Sequence, residues 1–214
     1  MTNGALRQLA LLAAIQGYHA EAAVLMQVAV KNAEGMYGSK SPAIVTTLAQ
    51  LGRSYLDVAR TEDAHAQLQR IIDIMGENPS EQAPGFLDFL QFQAMFAADR
   101  DDVERAEGLF KRAISLAGKY GGPDAFGVAV NEFNLARTYL KAERFDDALT
   151  LFKSALEHFR VHIGDHGLMV GYALAGAASA YAGKGDQGTS AKLRSEAIDI
   201  LGPTIGIRPQ LRWL

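Results

Sequence analysis

The chain has 214 residues, 49% of them hydrophobic and 21% charged, and it contains no Cys. That balance excludes intrinsic disorder, and the missing Cys removes disulfides, thiol nucleophiles and thiolate zinc sites together. With 21 Lys+Arg against 24 Asp+Glu the net charge is -3, so neither a broad nucleic-acid surface nor an acidic-membrane surface is expected.

Residues 9–15, following Arg7, imitate an export signal with small Ala20, Ala22 and Ala23 downstream. No apolar run approaches the ~20 residues that span a bilayer. A repeat explains the stretch better, and a cytoplasmic location is expected. Leu6, Leu9, Ala10 and Ala13 have helical spacing, and Ala22, Leu25, Met26 and Ala29 continue it on a second helix. The turn and helix start at residues 17–22 return in altered form at 60–64, 102–106 and 144–148. Their closing alanines, Ala22, Ala64, Ala106 and Ala148, stand 42 residues apart, and one more step lands on Ser190.

Two more small-residue columns keep this period: Ala10, Gly52, Ala94, Ala136, Ala178 and Ala29, Ile71, Ala113, Ala155, Ala197. Thirteen of the fifteen positions hold Ala or Gly, against about four expected by chance from composition. Large residues keep step as well: Leu9, Leu51, Leu135; Tyr55, Tyr139, Tyr181; Met26, Leu68, Phe110, Phe152. Small residues let helices approach and large ones fill the holes beside them. Ser41-Pro42 offers an N-cap and a first-turn proline, and Gly38, Gly76, Gly164 and Gly202 mark the ends of second helices. Residues 78–85 read as the most irregular loop. The pattern predicts an all-α, right-handed α-α superhelix, a solenoid of about five helix pairs. Tyr55, Tyr139, Phe110 and Phe152 should be buried between its helices.

The stretches Leu48-Ala49-Gln50-Leu51-Gly52-Arg53-Ser54-Tyr55 and Ala148-Leu149-Thr150-Leu151-Phe152-Lys153-Ser154-Ala155 resemble the tetratricopeptide repeat. The 42-residue period, longer than the usual ~34, is similar to the kinesin-light-chain type. Tyr37-Gly38-Ser39-Lys40-Ser41-Pro42, Gly121-Gly122-Pro123-Asp124 and Ile163-Gly164-Asp165-His166 echo that type's inter-repeat loop. The resemblance divides the chain into repeats at 3–44, 45–86, 87–128, 129–170 and 171–202. Ser190 and Arg194 depart from the pattern in the last. HEAT-like repeats have a similar period but lack the three small-residue columns.

The resemblance implies a groove lined by the first helix of each repeat and a function in protein binding. Fourteen residues before each anchor stand Gln8, Gln50, Phe92, Asn134 and Gly176; eleven before, Leu11, Arg53, Met95, Arg137 and Ser179; seven before, Ile15, Asp57, Asp99, Lys141 and Gly183. Side-chain amides at Gln8, Gln50 and Asn134 can donate to and accept from an extended peptide backbone. Arg53, Arg137 and Lys141 suit carboxylates, so the expected partner is an acidic peptide or protein segment. The alternative reading leaves these side chains solvated, with the arginines paired to Asp57 and Asp99.

His158, His162 and His166 share an i, i+4 spacing that can chelate a metal, but Gly164 should end the helix before His166, and no metal site or cofactor is assigned. Gly183-Lys184-Gly185-Asp186-Gln187-Gly188 is glycine-rich but falls at an inter-helix turn, and no strand precedes it. Asp101-Asp102 and Asp146-Asp147 read as charges favoured at helix N-termini. A non-catalytic binding scaffold is expected. The alternative is a self-assembling module joined through its terminal repeats and the apolar, basic segment 203–214, which would cap the last repeat or a second subunit.

Overall fold

The computed structural model describes residues 2–76, 79–122 and 125–205. Among them are ten α-helices and no strand: α1 (Asn3–Ile15), α2 (His19–Tyr37), α3 (Val45–Leu56), α4 (Thr61–Met75), α5 (Phe86–Asp99), α6 (Val103–Gly121), α7 (Phe126–Lys141), α8 (Phe145–Ile163), α9 (Leu168–Gly183) and α10 (Gln187–Ile205). They form two compact units that divide after Asp102. In the first unit α2 lies between α1 and α3, and α3 also packs on α4 and α5. In the second, α7 packs on α6, α8 and α9, and α9 packs on α8 and α10. The third expected repeat places α5 in the first unit and α6 in the second.

One turn joins the two helices of every pair. Residues 17, 59, 101, 143 and 185 all adopt positive φ (Gly17 82°, Ala59 57°, Asp101 61°, Glu143 58°, Gly185 85°). The following N–H closes back five residues: Tyr18 to Ala13 O, Arg60 to Tyr55 O, Asp102 to Ala97 O, Arg144 to Tyr139 O and Asp186 to Tyr181 O, at 2.8–3.0 Å. This geometry satisfies carbonyls that the end of the first helix leaves open. Arg60 and Arg144 reinforce it by lying over Tyr55 and Tyr139, 4.6 and 4.1 Å from the ring centroids.

Second helices stop where glycine permits. Gly38, Gly76 and Gly164 end them with positive φ of 88°, 83° and 73° and extended ψ, a backbone only glycine adopts readily. Gly202 is different: α10 runs through it and through Pro203 to Ile205, so the expected stop there is corrected. Proline's fixed φ is helical, and its missing N–H costs α10 one bond close to its end, where few turns remain to be disturbed. Ser41 caps a short 3-10 turn (Pro42–Ile44) that leads into α3. Residues 79–85 are non-helical, and Gly85 at φ 79° opens α5. The core is built largely from the predicted columns, although Leu9 is exposed and Tyr181 only half-buried. Tyr55, Phe110, Tyr139 and Phe152 are buried, as are all but Ser190 of the anchor positions as alanines, and Ser190 itself is buried. The segment expected to form a cap lies, from residue 206 onward, outside the described residues.

Candidate functional site

In the first unit two of the three predicted groove residues, Gln50 and Arg53, are bonded to neighbouring side chains outside that set. Gln8 is exposed on α1. Gln50 is half-buried, and its Oε1 accepts from Arg7 Nε at 2.7 Å. Arg53 Nη1 donates to Oε1 of buried Gln91 at 3.1 Å, and Thr46 Oγ1 donates to Asp88 Oδ2 at 2.9 Å. Burial pushes the Arg53 guanidinium below its ordinary value, opposed by the charges of Asp88 and Asp57. These bonds stitch α1 to α3 and α3 to α5. Phe92, in the same column as Gln50, is fully buried against Gly52 and takes no part in a surface.

The second unit has another arrangement. Phe133, Asn134, Arg137 and Lys141 follow one another along α7 at helical spacing, with Lys141 exposed in its last turn. Asn134 is half-buried; its carbonyl accepts from Thr138 Oγ1, but its side-chain amide bonds no described residue. Arg137 is exposed and has no carboxylate partner among the described residues. Its guanidinium lies 5.8 Å from the Phe133 ring centroid. That ring is itself held edge-on to Phe152 (5.9 Å) and Phe159 (6.3 Å). Alongside, α9 contributes half-buried Tyr172, whose phenol burial pushes up, then Gly176 and exposed Ser179. A Cβ at Gly176 would lie 2.4 Å from Phe152 Cζ, so packing keeps this position bare. Side chains are thereby short on α9 and long, polar and cationic on α7.

One polar cluster escapes the periodic reading. Glu132 is buried on α7, where its Oε1 accepts from Ser154 Oγ at 2.8 Å and its Oε2 meets His158 Nδ1 at 3.0 Å. Neighbouring Asn131, fully buried, donates to Gly127 O at 2.7 Å and leaves its Oδ1 unbonded. The column carries the signal: positions 6, 48, 90 and 174 are Leu, and 132 alone is Glu. His162 stands edge-on to Phe126 at 6.0 Å, and His166 lies beyond Gly164 in an exposed turn, so the three histidines do not converge. Among the described residues no cluster of three metal-ligating side chains occurs, and no helix is long and apolar enough to cross a membrane.

Known proteins match this architecture. Residues 89–160 match the tetratricopeptide repeat family model. A kinesin-light-chain candidate from Podosopora anserina with nearly identical TPR-like repeats is 18% identical. The match covers 94% of each chain with a TM-score of 0.60. BtubC (BKLC) from P. vanneervenii is 16% identical over 91% of this chain and 72% of that one, also at 0.60. YrrB, a TPR protein with an unusual peptide-binding site, is 15% identical over 97% and 88%, at 0.50. No curated protein matches the sequence. Residues 89–160 thus match the tetratricopeptide repeat, and the fold of the chain is that of tetratricopeptide-repeat solenoids.

Proposed function

We propose that the chain is a non-catalytic scaffold that binds an extended, acidic segment of a partner protein on the α7–α9 face of its second unit. The observation that carries this reading is the contrast between two equivalent arginines. Arg53 is engaged by Gln91, whereas Arg137 is exposed, unpaired among the described residues and stationed over Phe133. An arginine above an aromatic ring is oriented before a carboxylate arrives, which lowers the entropic cost of binding. Asn134, one residue after Phe133, offers an amide that can donate to and accept from a peptide main chain. The short side chains of α9 leave room for a backbone to approach. The peptide-binding site reported for YrrB, on a related fold, is consistent with such use.

The test is affinity for an array of acidic extended peptides, measured on the whole chain and its variants. Arg137→Ala and Asn134→Ala should each lower affinity by roughly 10- to 100-fold, the range of one charge-assisted bond, without changing the melting temperature. Raising salt should weaken binding. Arg53→Ala should leave affinity unchanged while lowering stability. Unchanged affinity in both second-unit variants would remove the assignment.

A further inference from the structure

Four polar side chains form a run across three first helices of the first unit. Arg7 of α1 donates to Gln50 of α3, and Arg53, one turn further along α3, donates to Gln91 of α5. Both acceptors are neutral. Neither guanidinium has a carboxylate partner among the described residues. Burial lowers the Arg53 guanidinium below its ordinary value, Asp88 and Asp57 raise it, and the charge of Arg7 lowers it again, so the two cations repel. Arg53 is half-buried and its acceptor Gln91 only 8% exposed, so hydration is given up here without an anion in return. The same bonds fix what the run presents. Each arginine takes an amide oxygen, which turns the Nε2 groups of Gln50 and Gln91 away from it. Those nitrogens donate to no described residue, nor do Nε and Nη2 of Arg53 or the Nη groups of Arg7. None of them is sealed from solvent. What the run leaves open is donors alone.

We propose that this run is a binding site for a phosphoryl group, held between Arg7 and Arg53 with the amides of Gln50 and Gln91 beside it. A donor-only set with two cations and no anion matches an oxyanion and nothing else common in cells. A phosphoryl group brings three acceptor oxygens and a charge of about −1.5 to −2, enough to take donors from both guanidiniums at once. A carboxylate offers two coplanar oxygens, which a single guanidinium fork fills. The run therefore selects phosphate chemistry, whereas the single open guanidinium of Arg137 suits a carboxylate. The two sites share no residue, so this one stands or falls independently of the α7–α9 face.

The test is titration of the full chain with inorganic phosphate and, separately, with a phosphoserine tripeptide, at constant ionic strength. Arginine Nε–Hε resonances report the binding. Phosphate should shift Arg7 and Arg53 together and saturate, and acetate should not. Arg7→Gln and Arg53→Lys should each weaken binding roughly 10- to 100-fold, the second because lysine keeps the charge but loses the fork. Arg7→Gln should keep the helical circular dichroism and melting temperature, which separates binding from folding. Asp88→Asn removes a neighbouring negative charge while its amide oxygen can still accept from Thr46. It should tighten phosphate binding about threefold, a gain that a purely structural role would not produce. Arg137→Ala should leave the site unchanged. Equal affinity for the two probes makes the free anion the ligand, and peptide binding at least ~10-fold tighter makes it a phosphorylated segment of a partner. No saturable shift of Arg7 and Arg53 up to ~10 mM phosphate, a shift indifferent to Arg7→Gln, or an equal response to acetate overturns the inference.

Discussion

Replacing Gly52 with Ala places a Cβ 2.1 Å from Phe92 Cζ and 2.4 and 2.7 Å from its two Cε atoms. Carbon atoms in contact prefer about 3.5–4 Å, so the ring must retreat by more than ~1 Å. It has nowhere easy to go: Phe92 is fully buried and edge-packed on Phe96 at 6.5 Å. Helix propensity favours the alanine by about 1 kcal/mol, while overpacking costs about 1–3 kcal/mol, with a rigid ring at the upper end. The variant should therefore be less stable by about 1–2 kcal/mol, although Ala10, Ala94, Ala136 and Ala178 occupy the equivalent positions. Urea unfolding followed by far-ultraviolet circular dichroism measures the difference. Phe92→Leu should cost less in the Gly52→Ala background than in the wild type, since the two side chains share one space. A raised midpoint for Gly52→Ala would refute this account of how α3 and α5 pack.

Ala59→Gly or Glu143→Gly, at left-handed turn positions with φ 57° and 58°, should raise stability by up to about 1 kcal/mol in the same assay. Glu132→Leu should destabilise by about 1–3 kcal/mol, because half-buried Ser154 and His158 lose their acceptor. Adding Ser154→Ala and His158→Leu should recover most of that loss in a thermal melt. Hydrogen bonds from Lys111 and Arg144 hold the Glu107 carboxyl at about 2, below its ordinary 4.5. A depressed folded-state value gives stability that is present above pH 4.5 and lost as pH falls toward 2. Exposure of the Lys111 and Arg144 side chains limits it to about 1 kcal/mol. Glu107→Gln should remove that part of the acid sensitivity, seen as a flatter dependence of the urea midpoint on pH.

The helix pairs were legible because each repeat returns the same side chain to the same contact, so Ala22, Ala64, Ala106 and Ala148 mark one packing site. Glycine caps at Gly38, Gly76 and Gly164 were legible for a local reason: only glycine adopts their backbone without strain. The inter-helix turn was less visible. Its left-handed residue is Gly at 17 and 185 but Ala59, Asp101 and Glu143 between them, where the surrounding bonds hold a conformation that composition does not advertise. Partner choice was least legible. Arg53 and Gln91 are 38 residues apart, off the period, so their bond emerges only from the packing of α3 on α5. Glu132 did leave a trace, as the one acid in a column of leucines. Its satisfaction by Ser154 and His158 depends on where α8 lies.

The most direct test of the binding claim is backbone-amide chemical-shift mapping of the whole chain titrated with an acidic peptide selected on it. The perturbed amides should cluster around residues 130–141 of α7 and 172–179 of α9, with Asn134 and Arg137 near the centre. The Arg7, Gln50, Arg53 and Gln91 region should remain still, because its polar groups are already bonded to one another. Shifts confined to α1, α3 and α5, with α7 and α9 unchanged, would contradict the account.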